Sequence, residues 1–445
     1  SDITLGDFWG INKLCDIRDR KGTSYVTLNT ARGARFFKKA LPQFQKIVSL
    51  QREAAENFNP CISQSVEESG CREIFFREWK QRGERTLSGV MRDVKKQIHF
   101  DIAMVCMWGI NYGNALTNYA LHTFLQNQGK KVVVLDNFCT LTPINQFRKF
   151  AQEHYTLSSR YFPVYDYAML NACCDTFVVA SDQNWNYGYS RYYGYGNYFL
   201  LDFAADDKKK VSYATSFGTA ASAPPGDVGL GLYQRFDAIS VREEFGVELC
   251  RKEYDVQASW VLDPVFLLKK QDYDRLLAKT PVPEAEPYIA VYFLDPTEEK
   301  RQLCLEIQRA MGGMKIINMM DANLRSMDYY MRILEYDNIR TGLGVETWLA
   351  YIRHADYVIT DSYHGTCFSV IFEKNFVAAK NRESARFDTF KRFEEVSGRI
   401  IGKAELSDQT YEAEQFVQPI DYESVNAELA VEIEKSIGFI QENIL

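Results

Sequence analysis

Little in this chain would mark a redox, membrane or nucleic-acid protein. Ten cysteines occur, yet no C-x-x-C pair. Cys173 and Cys174 are adjacent, and others sit in apolar runs such as "AMVCMW" and "GTCFSV". That pattern reads as buried free thiols in a reducing compartment, so the expected location is cytoplasmic. No apolar run reaches the roughly 18 residues of a membrane span. The opening "SDITLGDFWG" lacks a basic region followed by an apolar one, so it does not read as a secretion signal. It also lacks an initiating Met, and the chain is expected to be a processed or cloned piece of a longer protein. The net charge is −7 with no basic stripe, which excludes a general nucleic-acid binder. An anionic substrate stays open wherever a few cations converge. Only five histidines occur, and no His/Asp/Glu group has the spacing of a metal site, so no metal is expected.

Aromatic residues, by contrast, are plentiful: 27 Tyr and 29 Phe, which fill cores and also suit sugar rings. At 445 residues the chain exceeds one core and implies two or three domains. Residues 1–95 form a small irregular segment with one short strand, "SYVTLNT", and two or three helices. From His99 the texture changes. Short apolar runs ("FDIAMVCMW", "KKVVVLD", "DTFVVAS", "KKVSYATSF", "DAISVRE") alternate with helical patterns such as "NALTNYALHTFLQNQG". That alternation predicts a parallel sheet covered by helices on both faces. A second series follows the proline-bearing "KTPVPEAEP": strands "YIAVYFLD", "KIINMM", "DYVITDS" and "NFVAA", with helices between them. The expected fold is therefore α/β, with two Rossmann-like domains facing across a cleft at 96–272 and 273–420. An amphipathic helix at 421–445 closes the chain. Ligands of such folds bind at the carboxyl ends of the strands.

Four stretches at those ends carry chemistry. In "WGINYGNALTNYAL", Gly109 and Gly113 supply a tight turn, Asn111 lies between them, and Asn114 caps the next helix. The loop suits an anion or a sugar hydroxyl, and equally a plain strand-to-helix turn. Its G-x-x-x-G spacing is not the dinucleotide fingerprint, and it lacks the Lys of a P-loop. In "VVASDQNWN", Ser181, Asp182, Gln183 and Asn184 project from a strand end, into the cleft or into a capped turn. In "ISVREEF", Arg242 must find an anion, either a carboxylate of the protein or a phosphate gripped bidentately, and Glu243 and Glu244 suit the start of a helix.

In "DSYHG", Asp361 and Ser362 cap a helix beginning near His364, and Gly365 lets backbone come close. A helix N-terminus opposes a positive imidazole, whereas a bound phosphate would favour one, so His364 is placed to switch between acid and base. A capping imidazole satisfied by backbone is the alternative. His99, His122 and His154 lie on strand or helix patterns and are expected to pack, and His354 to lie at the surface.

In chain order, "GINYGNALTNYAL", "SDQNWN", "YFLLDF", "KKVSYATSFG", "SVRE", "VLDPVFLL" and "ITDSYHGTCFSVIF" resemble the polysaccharide pyruvyl transferase family over roughly residues 99–400. The resemblance implies a GT-B-like pair of domains. It also implies transfer of pyruvate from phosphoenolpyruvate to two sugar hydroxyls as a ketal, with release of phosphate, in bacterial cell-surface polysaccharide synthesis. It places His364 and Arg242 at the phosphoenolpyruvate site. Tyr363 stands where Phe is commoner, and "VVASDQ" where Gly often precedes the Ser.

Such chemistry would use His364 as general acid or phosphate anchor, Asp182 as base, and Arg353 as a secondary cation. Ser362 to Thr366 with Arg242 would hold the donor, and the 109–114 and 181–184 blocks the acceptor. No cofactor is implied. The partners would be phosphoenolpyruvate and a lipid- or nucleotide-linked saccharide, with peripheral association at the inner membrane face. A nucleotide-sugar glycosyltransferase and a non-catalytic redox-accessory module are the competing readings. The latter arises because "GDFWGI" and "KGTSYVTLNTARG" are similar to the tail of the coenzyme F420 hydrogenase/dehydrogenase beta-subunit family. The cluster cysteines of that family are absent here, and Cys61 and Cys71 are too far apart for a local cluster motif.

Overall fold

The computed structural model describes residues 3–7, 24–28, 30–40, 76–77, 97–109, 111–136, 146–161, 167–192, 196–320, 338–380 and 385–445. The chain divides into two units, Ser1–Gly70 with Thr140–Asn145, and Cys71–Cys139 with Gln146–Leu445. In the first unit, β1 (Ile3–Asp7) pairs antiparallel with β2 (Ser24–Leu28), inside the expected strand. Helix α1 (Ala31–Ala40) follows, and the Thr30 hydroxyl accepts from the Gly33 amide at its start. Cys61 and Cys71 lie outside the described residues.

The second unit holds two six-stranded sheets in which every strand pairing is parallel. The first contains β3 (Phe100–Val105), β4 (Val132–Val134), β5 (Cys174–Val179), β6 (Lys209–Thr215), β7 (Ala238–Val241) and β8 (Ser259–Trp260), in the order β4-β3-β5-β6-β7-β8. The second contains β9 (Tyr288–Phe293), β10 (Lys315–Met320), β11 (Ile339–Arg340), β12 (Tyr357–Thr360), β13 (Asn375–Ala379) and β14 (Ile400–Ile401), in the order β11-β10-β9-β12-β13-β14. Strands such as β9 and β12 are buried at every residue. Helices cover both faces of each sheet, so no face alternates with polar residues, and an unbroken apolar run is what the sequence shows.

Both orders place the site. In each sheet the chain starts near the middle, runs one way, then crosses back and runs the other. The reversals fall between β3 and β5 in the first sheet, and between β9 and β12 in the second. A crevice opens at the carboxyl ends of such strand pairs because the flanking loops lead to opposite faces. The segments there are 106–109 and 180–183 from the first lobe and 361–365 from the second, three of the four stretches singled out in the sequence.

The lobes share one apolar core. Helix α2 (Tyr112–Asn127) of the first lobe lays Tyr112 flat on Trp348 of helix α3 (Val345–His354), ring centroids 5.1 Å apart and planes 2° from parallel. The Tyr112 hydroxyl donates to the Leu343 carbonyl at 3.1 Å. Helix α4 (Tyr363–Ile371) follows β12. The closing helix α5 (Tyr422–Asn443) begins on the second lobe, where Asn426 bonds Glu373, and returns to the first, where the Ser436 hydroxyl accepts from the Leu262 amide at 3.0 Å. Among the described residues no helix is long and apolar enough to cross a membrane.

Candidate functional site

The site grows from one buried carboxylate. Asp263, in the "VLDPVFLL" run after β8, is fully buried. Its Oδ1 accepts from the Thr117 hydroxyl at 3.0 Å and from the Val265 amide at 3.1 Å. Its Oδ2 accepts from Arg242 Nη1 at 2.7 Å and lies 3.4 Å from both the Ser181 hydroxyl and His364 Nε2. Burial alone would raise this carboxyl. His364 and Arg242 outweigh it and hold Asp263 well below the usual carboxylate range.

Arg242 and His364, 122 positions apart in the sequence, thus meet on one oxygen. Arg242 is equally buried. Its Nε donates to Glu243 Oε1 at 3.3 Å, its Cζ lies 4.6 Å from the centroid of the Tyr363 ring, and Asp182 Oδ1 stands 3.7 Å from Nη2. Burial alone would depress this guanidinium. The carboxylates of Glu243 and Asp263 more than reverse that. The guanidinium is therefore not an open anion clamp: protein carboxylates already balance it. Nη2 is nevertheless a buried donor without a hydrogen bond. Such a donor is costly unless something else receives it.

Glu243 corrects the sequence reading. It was expected to face the dipole of the next helix, and instead its carboxylate turns inward to accept from Ser216 Oγ at 2.6 Å and from Arg242. Burial pushes its carboxyl up, against the pull of Arg242.

The first-lobe blocks close round this centre. Asp182 has φ +76°, in the left-handed region that a side chain enters only at a cost. Its carbonyl accepts from the amides of Asn184 (2.7 Å) and Ser216 (2.9 Å), which hold the backbone there. Its Oδ2 accepts from Asn114 Nδ2 at 3.1 Å. Asn114 does not cap α2; Asn111 does, accepting from the Asn114 amide at 2.8 Å. The Asn114 amide group is thereby free to bridge Met107 O and Asp182. Gly109, at φ +78°, makes the turn. Gly113 does not; it lies inside α2, and a Cβ there would stand 2.2 Å from His364 Nδ1. The missing side chain makes room for the imidazole.

In the second lobe, Ser362 caps α4 as expected, accepting from the Gly365 amide at 3.3 Å. Asp361 does not. Its carboxylate accepts from the amides of Leu294 and Asp295 and from buried Lys300 at 2.7 Å, which ties the loop after β9 to the end of β12. Gly365 makes room for Thr360 Oγ1 (2.4 Å from a built Cβ) rather than for a ligand. Thr366 Oγ1 donates to the Ser362 carbonyl inside the helix start.

Gln183 and Arg353 stay outside the cluster. Gln183 Oε1 accepts from Asn186 at 2.8 Å. Arg353 sits in the last turn of α3, and because that helix runs back against β12, its last turn ends at the strand's amino end. Arg353 pairs there with Asp274 at 2.7 Å. Sequence reasoning missed Thr117 and Asp263 as site residues. An aspartate inside an apolar run was the available signal, because burying a charge demands partners.

The other histidines divide. His122 is buried, with its pKa lowered to about 4 by burial. His354 is exposed. His99, expected to pack, is half-exposed and pairs with Asp175 at 3.0 Å. The fold also assembles two groups that local spacing does not show, His99/Asp101/Asp175 and Glu153/His154/Glu346, whose ligand atoms lie within 4.8 Å of one another. Neither includes a residue of the Asp263 cluster.

The profile of the polysaccharide pyruvyl transferase family matches residues 111–382, more than half of the chain. The chain belongs to that family. The match runs from the Asn111 cap through Asp182, Arg242 and Asp263 to His364, so the whole cluster lies inside the family region. No curated protein matches the chain significantly. Among solved structures, UDP-GlcNAc 2-epimerase from Neisseria meningitidis is similar at 9% identity, TM-score 0.46, over 76% of this chain and 99% of that one. The S. aureus MnaA–UDP structure is similar at 12% identity, TM-score 0.47, over 78% and 98%. The wall teichoic acid polymerase TagF is similar at 11% identity, TM-score 0.41, over 84% and 97%. Membership of the pyruvyl transferase family makes the chain a glycan-modifying transferase.

Proposed function

We propose that the chain transfers pyruvate from phosphoenolpyruvate to two hydroxyls of a saccharide, as a ketal. The observation that carries this is the meeting of His364, Arg242 and Asp182 around Asp263, at the strand ends where both sheets reverse. The donor is a small polyanion, and Arg242 Nη2, 3.7 Å from the proposed base Asp182, is a buried cationic donor that makes no hydrogen bond among the described residues.

In the reaction, a proton is delivered to the methylene carbon of phosphoenolpyruvate, and an oxocarbenium centre develops at the neighbouring carbon. One hydroxyl adds there, the bond from that carbon to the phosphate oxygen breaks, and the second hydroxyl closes the ketal. Of the two hydroxyl protons, one balances the new methyl group and one leaves with phosphate. His364 serves as the acid toward the methylene or the departing phosphate, and Asp182 as the base for a hydroxyl. The acceptor is a lipid- or nucleotide-linked saccharide, and the work is done in the cytoplasm. The six described cysteines are buried and outside any disulfide, which accords with a reducing compartment.

The test incubates the chain with phosphoenolpyruvate and a panel of linked saccharides, following inorganic phosphate and acceptor mass. The acceptor should gain the mass of pyruvic acid less one water. His364→Ala should lower phosphate release by about tenfold to a hundredfold, the scale of a positioned acid, while the protein stays folded. Saturable binding of a nucleoside diphosphate that phosphoenolpyruvate does not compete with would point to a glycosyltransferase instead.

A further inference from the structure

His364 Nε2 lies 2.9 Å from Thr117 Oγ1, which lies 3.0 Å from Asp263 Oδ1. A threonine hydroxyl has one proton to give, and an ionised carboxylate can only accept. Arg242 Nη1, 2.7 Å from Asp263 Oδ2, keeps that carboxylate ionised. The Thr117 proton therefore goes to Asp263, and its lone pair faces Nε2. Nε2 must then carry a proton, and its 3.4 Å approach to Asp263 Oδ2 makes the same demand. The other ring nitrogen points elsewhere: Nδ1 lies against Gly113, where a Cβ would meet it at 2.2 Å.

We infer that Thr117 and Asp263 are positioning residues that hold His364 as the Nε2–H tautomer, so that Nδ1, at the seam between the first turns of α2 and α4, is the atom that exchanges a proton with substrate. This deepens the proposed pyruvyl transfer and rests on it for the identity of the substrate. The device works as an aspartate does behind a catalytic histidine: it selects the tautomer, orients the ring and stabilises the imidazolium without taking the proton. Here a hydroxyl relays one of the two contacts. The reacting atoms of the donor then belong at the ring edge that carries Nδ1, next to the α2 N-terminus rather than between the ring and Gly113.

Imidazole nitrogen NMR on the isotopically labelled full chain tests this without any assay of activity, with the His364 signals assigned by their loss in His364→Gln. Nε2 should keep its bonded proton through a pH titration, with any lone pair appearing on Nδ1. Thr117→Val, nearly isosteric, should relax the ring to a mixture of tautomers and lower the turnover number at least about tenfold with KM for phosphoenolpyruvate little changed, and Thr117→Ser should restore both. A lone pair on Nε2 in the unmutated chain, or a Thr117→Val spectrum identical to it, overturns the inference. If Nε2–H is found and phosphoenolpyruvate is not consumed, the tautomer assignment stands and the pyruvyl transfer reading falls.

Discussion

Gly113→Ala sets two effects of opposite sign against each other. Alanine in place of glycine within a helix stabilises by up to about 1 kcal/mol. Against that, the new Cβ would lie 2.2 Å from His364 Nδ1, 2.4 Å from Cγ and 2.7 Å from Cβ, where ordinary contact begins near 3.4 Å. Clearing the nearest atom requires the ring to retreat by about 1.2 Å, the difference between those distances. The ring cannot swing freely, since it is buried and tied to Thr117 at 2.9 Å. A retreat of that size breaks the Thr117 bond and loosens the Asp263 contact. Lost hydrogen bonds to a charged network are worth about 1.5–3 kcal/mol and overpacking about 1–3 kcal/mol, so after the helix gain the clash wins by about 1.5–5 kcal/mol. Urea unfolding should show that drop, and phosphate release should fall at least about a hundredfold, as for a misplaced acid.

Gly438→Ala is the internal control. That glycine lies in α5 with nothing within 4 Å of a built Cβ, so the same change should stabilise by about 0.5–1 kcal/mol and leave activity alone. Gly113→Ala matching Gly438→Ala in both measurements would refute the claim that the imidazole is pinned at the seam between the lobes.

Three further outcomes are expected. Arg242→Ala leaves Asp263 and Glu243 buried without their cation, so it should destabilise by about 3–5 kcal/mol in a denaturant titration, whereas His364→Ala should not approach that loss. Asp182→Asn keeps the shape and the Asn114 contact but not the base, so phosphate release should fall about tenfold to a hundredfold with the unfolding midpoint little changed, as folded-state fluorescence and the phosphate assay would show. His122 titrates at about 4 in the fold, against about 6.5 in an unfolded chain. Between those values the unfolded chain takes up a proton that the fold refuses, so stability is full above pH 6.5 and falls as the pH drops toward 4. At pH 5 the loss is about 2 kcal/mol, and His122→Gln should flatten that part of the stability profile.

The strands were legible because a sheet buried on both faces demands unbroken apolar runs, and "FDIAMV", "YIAVYF" and "YVIT" are such runs. "ITDSYHG" and "SVRE" were legible as site stretches because a titratable or cationic residue at a strand's end needs a partner. What those partners were could not be read. Arg242 was expected to find either an anionic ligand or a protein carboxylate, and it found Asp263 and Glu243 while keeping one donor unsatisfied. Arg353 was expected as a secondary cation of the site, yet the reversed direction of its helix carries it to Asp274.

By itself, the sequence determined two parallel α/β lobes and the neighbourhood of the site, because hydrophobic periodicity and strand-end polarity are local properties. Only the tertiary structure decided that Thr117, Asp263 and His364 touch, since 146 and 247 positions separate Thr117 from the other two. Pairings at that range are fixed by the packing of helices against two sheets, and no stretch of sequence carries that packing alone. The same packing explains Gly113: a residue that reads as a turn glycine is required by a ring from the other lobe.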